Sequence, residues 1–196
     1  MQKTSYKIIG LSGTNGSGKD SLANYLVSQY NYYFVSVSDL LRQEVQNRGL
    51  PPDRKSLRQV SAEWRRQFGL GVLIDKAVSN FKQQTENYSG LVIASLRNPG
   101  EADRVHELNG SVIWLDADPK LRYDRIQANK AARNNRQSDN ISFEQFLEEE
   151  KAEMFSQGDE ATLSMNAVKQ KADWFIDNSF KTFKEFADYI SRQPYW

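Results

Sequence analysis

Five short apolar runs, rich in β-branched and aromatic residues, recur along the chain between longer segments with helical spacing. Continuous apolar runs of this length are typical of strands buried on both faces. Strands that alternate with helices favour a parallel sheet covered on both sides. We therefore predict an α/β fold with a five-stranded parallel sheet, whose ligands bind beyond the carboxyl ends of the strands. The runs are 7–11, 33–37, 91–94, 111–115 and 174–176.

The first run leads into the most informative stretch of the chain, residues 10–21, which reads GLSGTNGSGKDS. It has the G-x-x-x-x-G-K spacing of a phosphate-binding P-loop, placed between a predicted strand and an amphipathic helix. Glycines let backbone N–H groups approach phosphate oxygens, the helix N-terminus adds its dipole, and the lysine reaches the β- and γ-phosphates. The predicted nucleotide-binding residues are Gly13, Thr14, Asn15, Gly16, Ser17, Gly18, Lys19, Asp20 and Ser21.

One position of this loop departs from the usual motif. Asp20 stands where a serine or threonine normally ligates magnesium, and Ser21 follows it. A carboxylate is a hard oxygen ligand and can hold Mg²⁺ directly or through water. The alternatives are that Ser21 ligates the ion, or that Asp20 only caps the helix. The sequence predicts Mg²⁺ near Asp20 or Ser21.

Composition narrows the class of protein. The 196 residues include 26 basic and 25 acidic ones, and this balance gives no support for a nucleic-acid-binding or membrane-surface protein. The chain has no cysteine, which excludes disulfides, thiolate zinc sites and cysteine catalysis. It shows no signal-peptide pattern and no apolar run long enough to span a bilayer. We expect a single domain over 1–196, soluble and cytoplasmic.

Arginines follow two of the predicted strands. Arg42 lies one turn into the helix that Ser38 or Asp39 would cap, and Arg97 lies in the turn after the third run. A guanidinium group suits bidentate binding of phosphate. We predict a helical insertion over residues 39–86. Its arginines form either a solvated face or the entrance to a binding site for an anionic substrate. Those arginines are Arg58, Arg65 and Arg66.

The second half of the chain offers a candidate cover for the site. A predicted helix carries Arg122 and Arg125, and the polar, basic segment 129–140 with Arg136 follows it. This segment is either a linker or a lid that closes over phosphates and excludes water, and we favour the lid. Residues 144–153 are predicted to form a solvated helix face.

In this order, the segments resemble the nucleoside monophosphate kinase branch of P-loop kinases. Residues 39–42, D-L-L-R, look like a segment of adenylate kinases, and Arg97 matches the arginine of their D-G-x-x-R segment. Residues 18–21, G-K-D-S, look like the G-K-D-T of phage-type deoxynucleoside monophosphate kinases. Residues 172–178 are similar to the A-D-x-x-I-D-N ending of dephospho-CoA kinases and of an archaeal adenylate-kinase-like group. The match is patchy but spans almost the whole chain. Only the P-loop is strongly specific, and Ala94 stands where the family has an acid.

The resemblance implies a P-loop NTPase-type fold with an acceptor-binding insertion (39–86) and a short lid (129–140). It implies that ATP, with Mg²⁺, donates its γ-phosphoryl group to a small-molecule nucleotide acceptor, a (deoxy)nucleoside monophosphate. Dephospho-CoA kinase, and a nucleotide-dependent switch or pseudo-kinase module without transfer activity, are the alternatives. Acceptor identity and oligomeric state stay open. The implied catalytic residues are Lys19, Arg97, Arg125 and Arg136. The implied substrate-binding residues are Asp39, Arg42, Arg65 and Arg97.

Overall fold

A computed structural model of the chain describes residues 6–84, 86–130, 140–155 and 158–196. They contain one sheet of five parallel strands in the order β2-β3-β1-β4-β5, which confirms the predicted fold. The strands are β1 (Lys7–Gly13), β2 (Tyr32–Ser36), β3 (Gly90–Ala94), β4 (Ser111–Asp116) and β5 (Trp174–Asp177).

Helices connect the strands and cover both faces of the sheet. Three of them lie between β2 and β3, in the segment predicted as a helical insertion. The helices are α1 (Lys19–Tyr30), α2 (Val37–Asn47), α3 (Arg54–Phe68), α4 (Val72–Lys82), α5 (Pro99–Glu107), α6 (Pro119–Ala128), α7 (Phe143–Met154), α8 (Met165–Gln170) and α9 (Phe183–Ile190). Among the described residues, no helix has the length and apolar character needed to cross a membrane.

Side chains that alternate along the central strands build two separate cores. Ile8, Leu91 and Ile93 pack towards α2, α3, α4 and α5 on one face. Ile9 and Val92 pack towards α1 and α9 on the other. Burial of both faces explains why the strands read as continuous apolar runs rather than as alternating patterns.

The packing places one edge of the sheet at the centre of the candidate site. Because all five strands are parallel, their carboxyl ends open on the same side, with β1 in the middle. The segments that follow them include the β1–α1 loop, α2, the β3–α5 turn and the β5–α9 loop. The sequence predicts phosphate-binding residues in the first three of these segments.

Candidate phosphate-binding site

The β1–α1 loop has a backbone that only glycine fits. Gly13 has a φ of +136°, and a Cβ there would lie 1.9 Å from the carbonyl oxygen of Leu115 in β4. Gly18 has a φ of +97°, and its Cβ would lie 2.4 Å from Nδ2 of Asn178. Thr14 donates its N–H to the Leu115 carbonyl at 3.2 Å. The loop is therefore clamped between β4 and the segment after β5.

Lys19 folds back over this loop. Its Nζ donates to the carbonyl oxygens of Gly13 at 2.9 Å and Thr14 at 2.6 Å, and lies 3.4 Å from Oγ of Ser17. Burial, together with the positive charge of Arg97, lowers the pKa of Lys19 to about 8. An ammonium group in such a positive, poorly hydrated place gains from the approach of a phosphate anion.

Two side chains missed in the sequence stabilise the loop from neighbouring strand ends. Asp116, at the end of β4, accepts hydrogen bonds from Oγ1 of Thr14 at 2.7 Å and from the N–H of Ala117 at 2.9 Å. Asn178, just after β5, donates Nδ2 to the Ser17 carbonyl at 2.8 Å. Its Oδ1 is buried and has no hydrogen-bond partner among the described residues. Both side chains therefore help to fix the shape of the loop.

The predicted magnesium ligands lie in the first turn of α1. Asp20 and Ser21 are both exposed there. The described residues contain no cluster of three or more histidine, cysteine, aspartate or glutamate side chains that could hold a metal. Magnesium commonly binds through one or two carboxylates plus substrate phosphates, and an exposed carboxylate beside a phosphate cradle fits that pattern. Ala94, where the resembled family has an acid, is fully buried in an apolar cluster.

Three arginines converge on one carboxylate, that of Glu153 in α7. Nη1 of Arg97 lies 2.5 Å from Oε2 of Glu153, and Nη2 of Arg58 lies 2.9 Å from Oε1. Nη1 of Arg54 is 3.4 Å from Oε1. Burial would raise the pKa of Glu153, but Arg97, Arg54 and Arg58 outweigh it and lower the pKa to about 2. Glu153 is therefore an anion throughout the physiological pH range.

Helix α7 presents one face to the P-loop. Four of its residues have the i, i+3, i+4, i+7 spacing of a single helix face and line a cavity beside Gly13–Asn15. They are Phe146, Glu149, Glu150 and Glu153. That cavity is about 20 Å³, which is room for a single water molecule. The prediction of a solvated face over 144–153 was wrong for these carboxylates, because arginines from α3, α6 and the β3–α5 turn pair with them.

Arg122 connects α6 to both the loop and α7. It is buried, and it donates to the carbonyls of Ala117 at 2.8 Å and Asn15 at 3.2 Å. Its Nη1 and Nη2 both bond the carboxylate of Glu150, Nη2 at 2.9 Å. Arg122 is thus the α6 arginine that contacts the P-loop.

Arg125 is directed elsewhere. It donates to the carbonyls of Asn178 at 2.9 Å and Phe180 at 2.7 Å, and burial lowers its pKa. In this position Arg125 supports the β5–α9 loop. Its predicted contact with a transferring phosphoryl group stays a prediction. Arg136 and most of the predicted lid, 129–140, lie outside the described residues.

The predicted substrate-binding role of Arg65 does not fit its surroundings. Its side chain is 1% exposed and pairs with the fully buried Glu101, with Nη2 at 2.6 Å from Oε1. Nη1 donates to the carbonyl of Ala161 at 2.9 Å. Glu101 also accepts the N–H of Arg97 at 2.7 Å. Arg65 is therefore part of a buried network behind the β3–α5 turn, and we correct the prediction accordingly.

Asp39 and Arg42 form an ion pair with each other at the start of α2. Their side chains are 67% and 33% exposed, respectively, and neither lines the cavity beside the P-loop. Their predicted contact with an acceptor stays a prediction.

A signal for the missed residues was present in the sequence. The spacing of Glu149, Glu150 and Glu153 behind the apolar Phe146 marks a face directed at the protein rather than at solvent. Arg54 lies one turn before Arg58 in α3, so the two arginines share one face of that helix. Asp116 and Asn178 come just after predicted strands, where ligand-binding side chains concentrate.

Comparison with known proteins shows the family of this chain. The AAA domain family model AAA_18 matches residues 9–154, which include the P-loop, Arg97 and all of α7. The chain belongs to this family. A UPF0200 protein of Pyrococcus abyssi is 28% identical over 192 residues, covering 95% of this chain and 96% of that protein.

Solved structures share the fold of this AAA-family chain. Shikimate kinase from Bacteroides thetaiotaomicron superposes with a TM-score of 0.60 at 10% identity, covering 94% of this chain and 96% of that one. A putative kinase from Chloroflexus aurantiacus has a TM-score of 0.55 at 17% identity, with 95% and 94% covered. At these identities the likeness shows a P-loop kinase-like fold. It does not extend to the nucleoside monophosphate kinase branch in particular.

Proposed function

We propose that this protein is an ATP-dependent phosphotransferase that moves the γ-phosphoryl group of ATP to a small nucleotide acceptor, a nucleoside or deoxynucleoside monophosphate. The observation that carries the proposal is the arrangement at the carboxyl edge of the sheet. A glycine cradle with a lysine lies beside a cluster of arginines. The glycine cradle and its lysine suit the donor phosphates, and the arginines suit an anionic acceptor.

The donor phosphates would lie in the cradle formed by Gly13–Lys19. Backbone N–H groups and the N-terminus of α1 would face the β- and γ-phosphates, and Lys19 would exchange its carbonyl partners for phosphate oxygens. Phosphoryl transfer depends on positioning and on stabilising negative charge rather than on acid–base groups. The side chains that hold the loop against β4 and β5, Asp116 and Asn178, keep this cradle in shape.

Asp20 and Ser21 would hold Mg²⁺, which neutralises charge on the transferring phosphates when it is bound. Asp20 is the loop carboxylate exposed at the first turn of α1. Its role is the more important because Ala94 offers no oxygen ligand.

The acceptor would bind on the side of Arg97. A guanidinium at the end of β3, next to the P-loop, suits a phosphate that must face the γ-phosphoryl group. Asp39, which is exposed, and Arg42, which is partly buried, lie near the start of α2 and would meet the acceptor from the β2 side. Arg122 would support the loop from the α6 side.

Dephospho-CoA remains a second acceptor class, since residues 172–178 are similar to the ending of dephospho-CoA kinases and form the described β5 and its loop. The likeness in fold to shikimate kinase adds a hydroxyl acceptor to the set worth testing. A switch or a binding module without transfer activity is the competing function of a different class.

The test is release of ADP from ATP and Mg²⁺ by the full chain, alone and with a panel of acceptors. The panel contains ribo- and deoxynucleoside monophosphates, dephospho-CoA and shikimate. Lys19→Ala is the control, and should lose at least about 100-fold in turnover because it removes a charge that faces the reacting phosphates.

Each outcome separates two functions. Turnover that depends on one acceptor and on Lys19 supports the kinase. Slow hydrolysis that no acceptor accelerates indicates a switch, and nucleotide binding without turnover indicates a binding module. Wild-type turnover in a folded Lys19→Ala protein would contradict the assignment of the donor site.

A further inference from the structure

Around Glu153, positive charge exceeds negative charge. The guanidinium groups of Arg54, Arg58 and Arg97 face two carboxylates of α7, those of Glu149 and Glu153. The cluster therefore keeps a net positive charge after α7 has docked. A phosphate dianion with three accepting oxygens would satisfy three guanidinium groups better than one carboxylate can.

The docking of α7 depends on charge more than on apolar packing. Phe146 is its one buried residue, and it contacts the ring of Tyr123 in α6 at 5.8 Å between centroids. The end of the helix that carries Glu153 is held by ion pairs. Elements with few buried apolar contacts open at low free-energy cost, so this end is well suited to give way to a competing anion.

Glu153 already engages the guanidinium groups that a phosphate would bind. The cavity beside the P-loop is about 20 Å³, and the guanidinium of Arg97, which lines it, is engaged by Oε2 of Glu153 at 2.5 Å. A proton does not release the contact near neutrality, because the arginines lower the pKa of Glu153 to about 2. An anion that takes the place of the carboxylate would release the contact without a change in protonation.

We propose that Arg54, Arg58 and Arg97 form the binding site for the phosphate group of the acceptor, and that Glu153 occupies this site as an internal competitor which the phosphate displaces. Naming the ligand as the acceptor rests on the proposed kinase function. The competition itself concerns anion binding and is tested without turnover. Under this proposal α7 both covers the P-loop and admits only ligands that bring their own phosphate to the arginines.

The first experiment measures the affinity of inorganic phosphate by calorimetry at low ionic strength. It uses the full chain carrying Lys19→Ala, which removes the charged group of the P-loop from the measurement. Glu153→Gln in this background should tighten phosphate binding about tenfold, because a neutral amide competes poorly for guanidinium groups. Glu148→Gln is the matched control, since Glu148 is exposed on the same helix and does not line the cavity. It should change the affinity less than twofold.

A third variant tests whether the gain belongs to the arginines. Adding Arg58→Ala to Glu153→Gln should remove most of the gained affinity. Equal phosphate affinity in Glu153→Gln and Glu148→Gln, or weaker binding in Glu153→Gln, would overturn the competition. If the gain persists after Arg58→Ala, the assignment of Arg58 to the site is wrong.

The second experiment needs no substitution and covers the case in which Glu153→Gln folds poorly. Hydrogen exchange of the wild-type chain is followed with and without inorganic phosphate. Displacement of Glu153 should speed exchange at amides in the last turn of α7, and leave the first turn near Phe146 unchanged. Unchanged or slower exchange in the last turn would show that α7 does not yield to the anion, and would contradict the proposal.

The two proposals fail in different ways. If phosphate binding follows Glu153 but no acceptor is phosphorylated, the anion site stands and the kinase function is wrong. If an acceptor is phosphorylated but Glu153→Gln does not change the phosphate affinity, the kinase function stands and the competition is wrong.

Discussion

The P-loop and the acidic face of α7 border the same cavity but are held in place by different forces. Gly13–Lys19 is fixed by backbone geometry and by hydrogen bonds to β4 and to the segment after β5. Helix α7 is fixed mainly by ion pairs with arginines from α3, α6 and the β3–α5 turn. Under the two proposals, the site is divided into a preformed half for the donor phosphates and a displaceable half for the acceptor phosphate.

The largest effect is expected where charge is truly buried. Arg65→Ala should lower the free energy of unfolding by about 3–5 kcal/mol, because Glu101 would be left as an unpaired buried charge. Arg66→Ala is the neighbouring control, since Arg66 is 53% exposed and pairs with Asp159 at the surface. It should cost about 0–1 kcal/mol. Urea denaturation measures both, and equal costs would contradict the buried network.

The preformed half is tested at Gly13. Gly13→Ala should weaken ATP binding about 100-fold. The new Cβ would lie 1.9 Å from the Leu115 carbonyl oxygen, so the loop would have to shift and its N–H groups would no longer point at the phosphate oxygens. Gly49→Ala is the control, with a φ of +65° and no atom within 4 Å of the added Cβ. It should strain the backbone without changing ATP affinity. Calorimetric titration decides, and comparable losses in both variants would mean that the cradle has no special role.

ATP binding to the preformed half should depend on pH through Lys19. The pKa of Lys19 is about 8, so the free protein loses this charge as the pH rises through 8, whereas bound phosphate favours the charged form. ATP affinity should therefore fall by up to about tenfold per pH unit above 8, with uptake of a proton on binding. Calorimetry in two buffers of different ionisation enthalpy at pH 8.5 measures that proton. Proton release, or an affinity that does not change between pH 8 and 9.5, would contradict the low pKa of Lys19.

The smallest effect is expected at Asp20. Asp20→Asn should raise the Mg²⁺ concentration for half-maximal activity several-fold, while ATP binding measured without metal changes little. Asp124→Asn, at an exposed i, i+4 pair with Lys120, is the control. If the requirement for Mg²⁺ is the same in both variants, Asp20 is only a helix-start residue and Ser21 becomes the candidate ligand. An acid at position 94 is not expected to compensate, because Ala94 is buried among apolar side chains.

Local features of this molecule could be predicted from the sequence. The strand, the glycine spacing and Lys19 lie within about a dozen residues, so the pattern alone specifies a cradle. The apolar runs specified five strands, because burial on both faces removes polar positions. The bounds moved by one or two residues, as at Val37, which begins α2 instead of ending β2.

The ion-pair partners of the acidic face could not be predicted in the same way, because they lie far away along the chain. Glu153 meets Arg97 and Arg58 across 56 and 95 residues of chain, respectively. Arg65 and Arg66 are indistinguishable as neighbouring arginines in one helix, yet the first is buried and the second exposed. Tertiary packing determines whether a charged side chain is buried or exposed, and the spacing of residues along a helix does not specify that packing.

The most direct test of the division is a steady-state comparison of Arg97→Ala with the wild type, using the acceptor that the panel identifies. Arg66→Ala is the control for loss of an arginine outside the site. We expect Arg97→Ala to raise the KM for the acceptor at least about tenfold, because a charged hydrogen-bond donor is lost, and to change the KM for ATP less than twofold. A rise in the KM for ATP with an unchanged KM for the acceptor would contradict it.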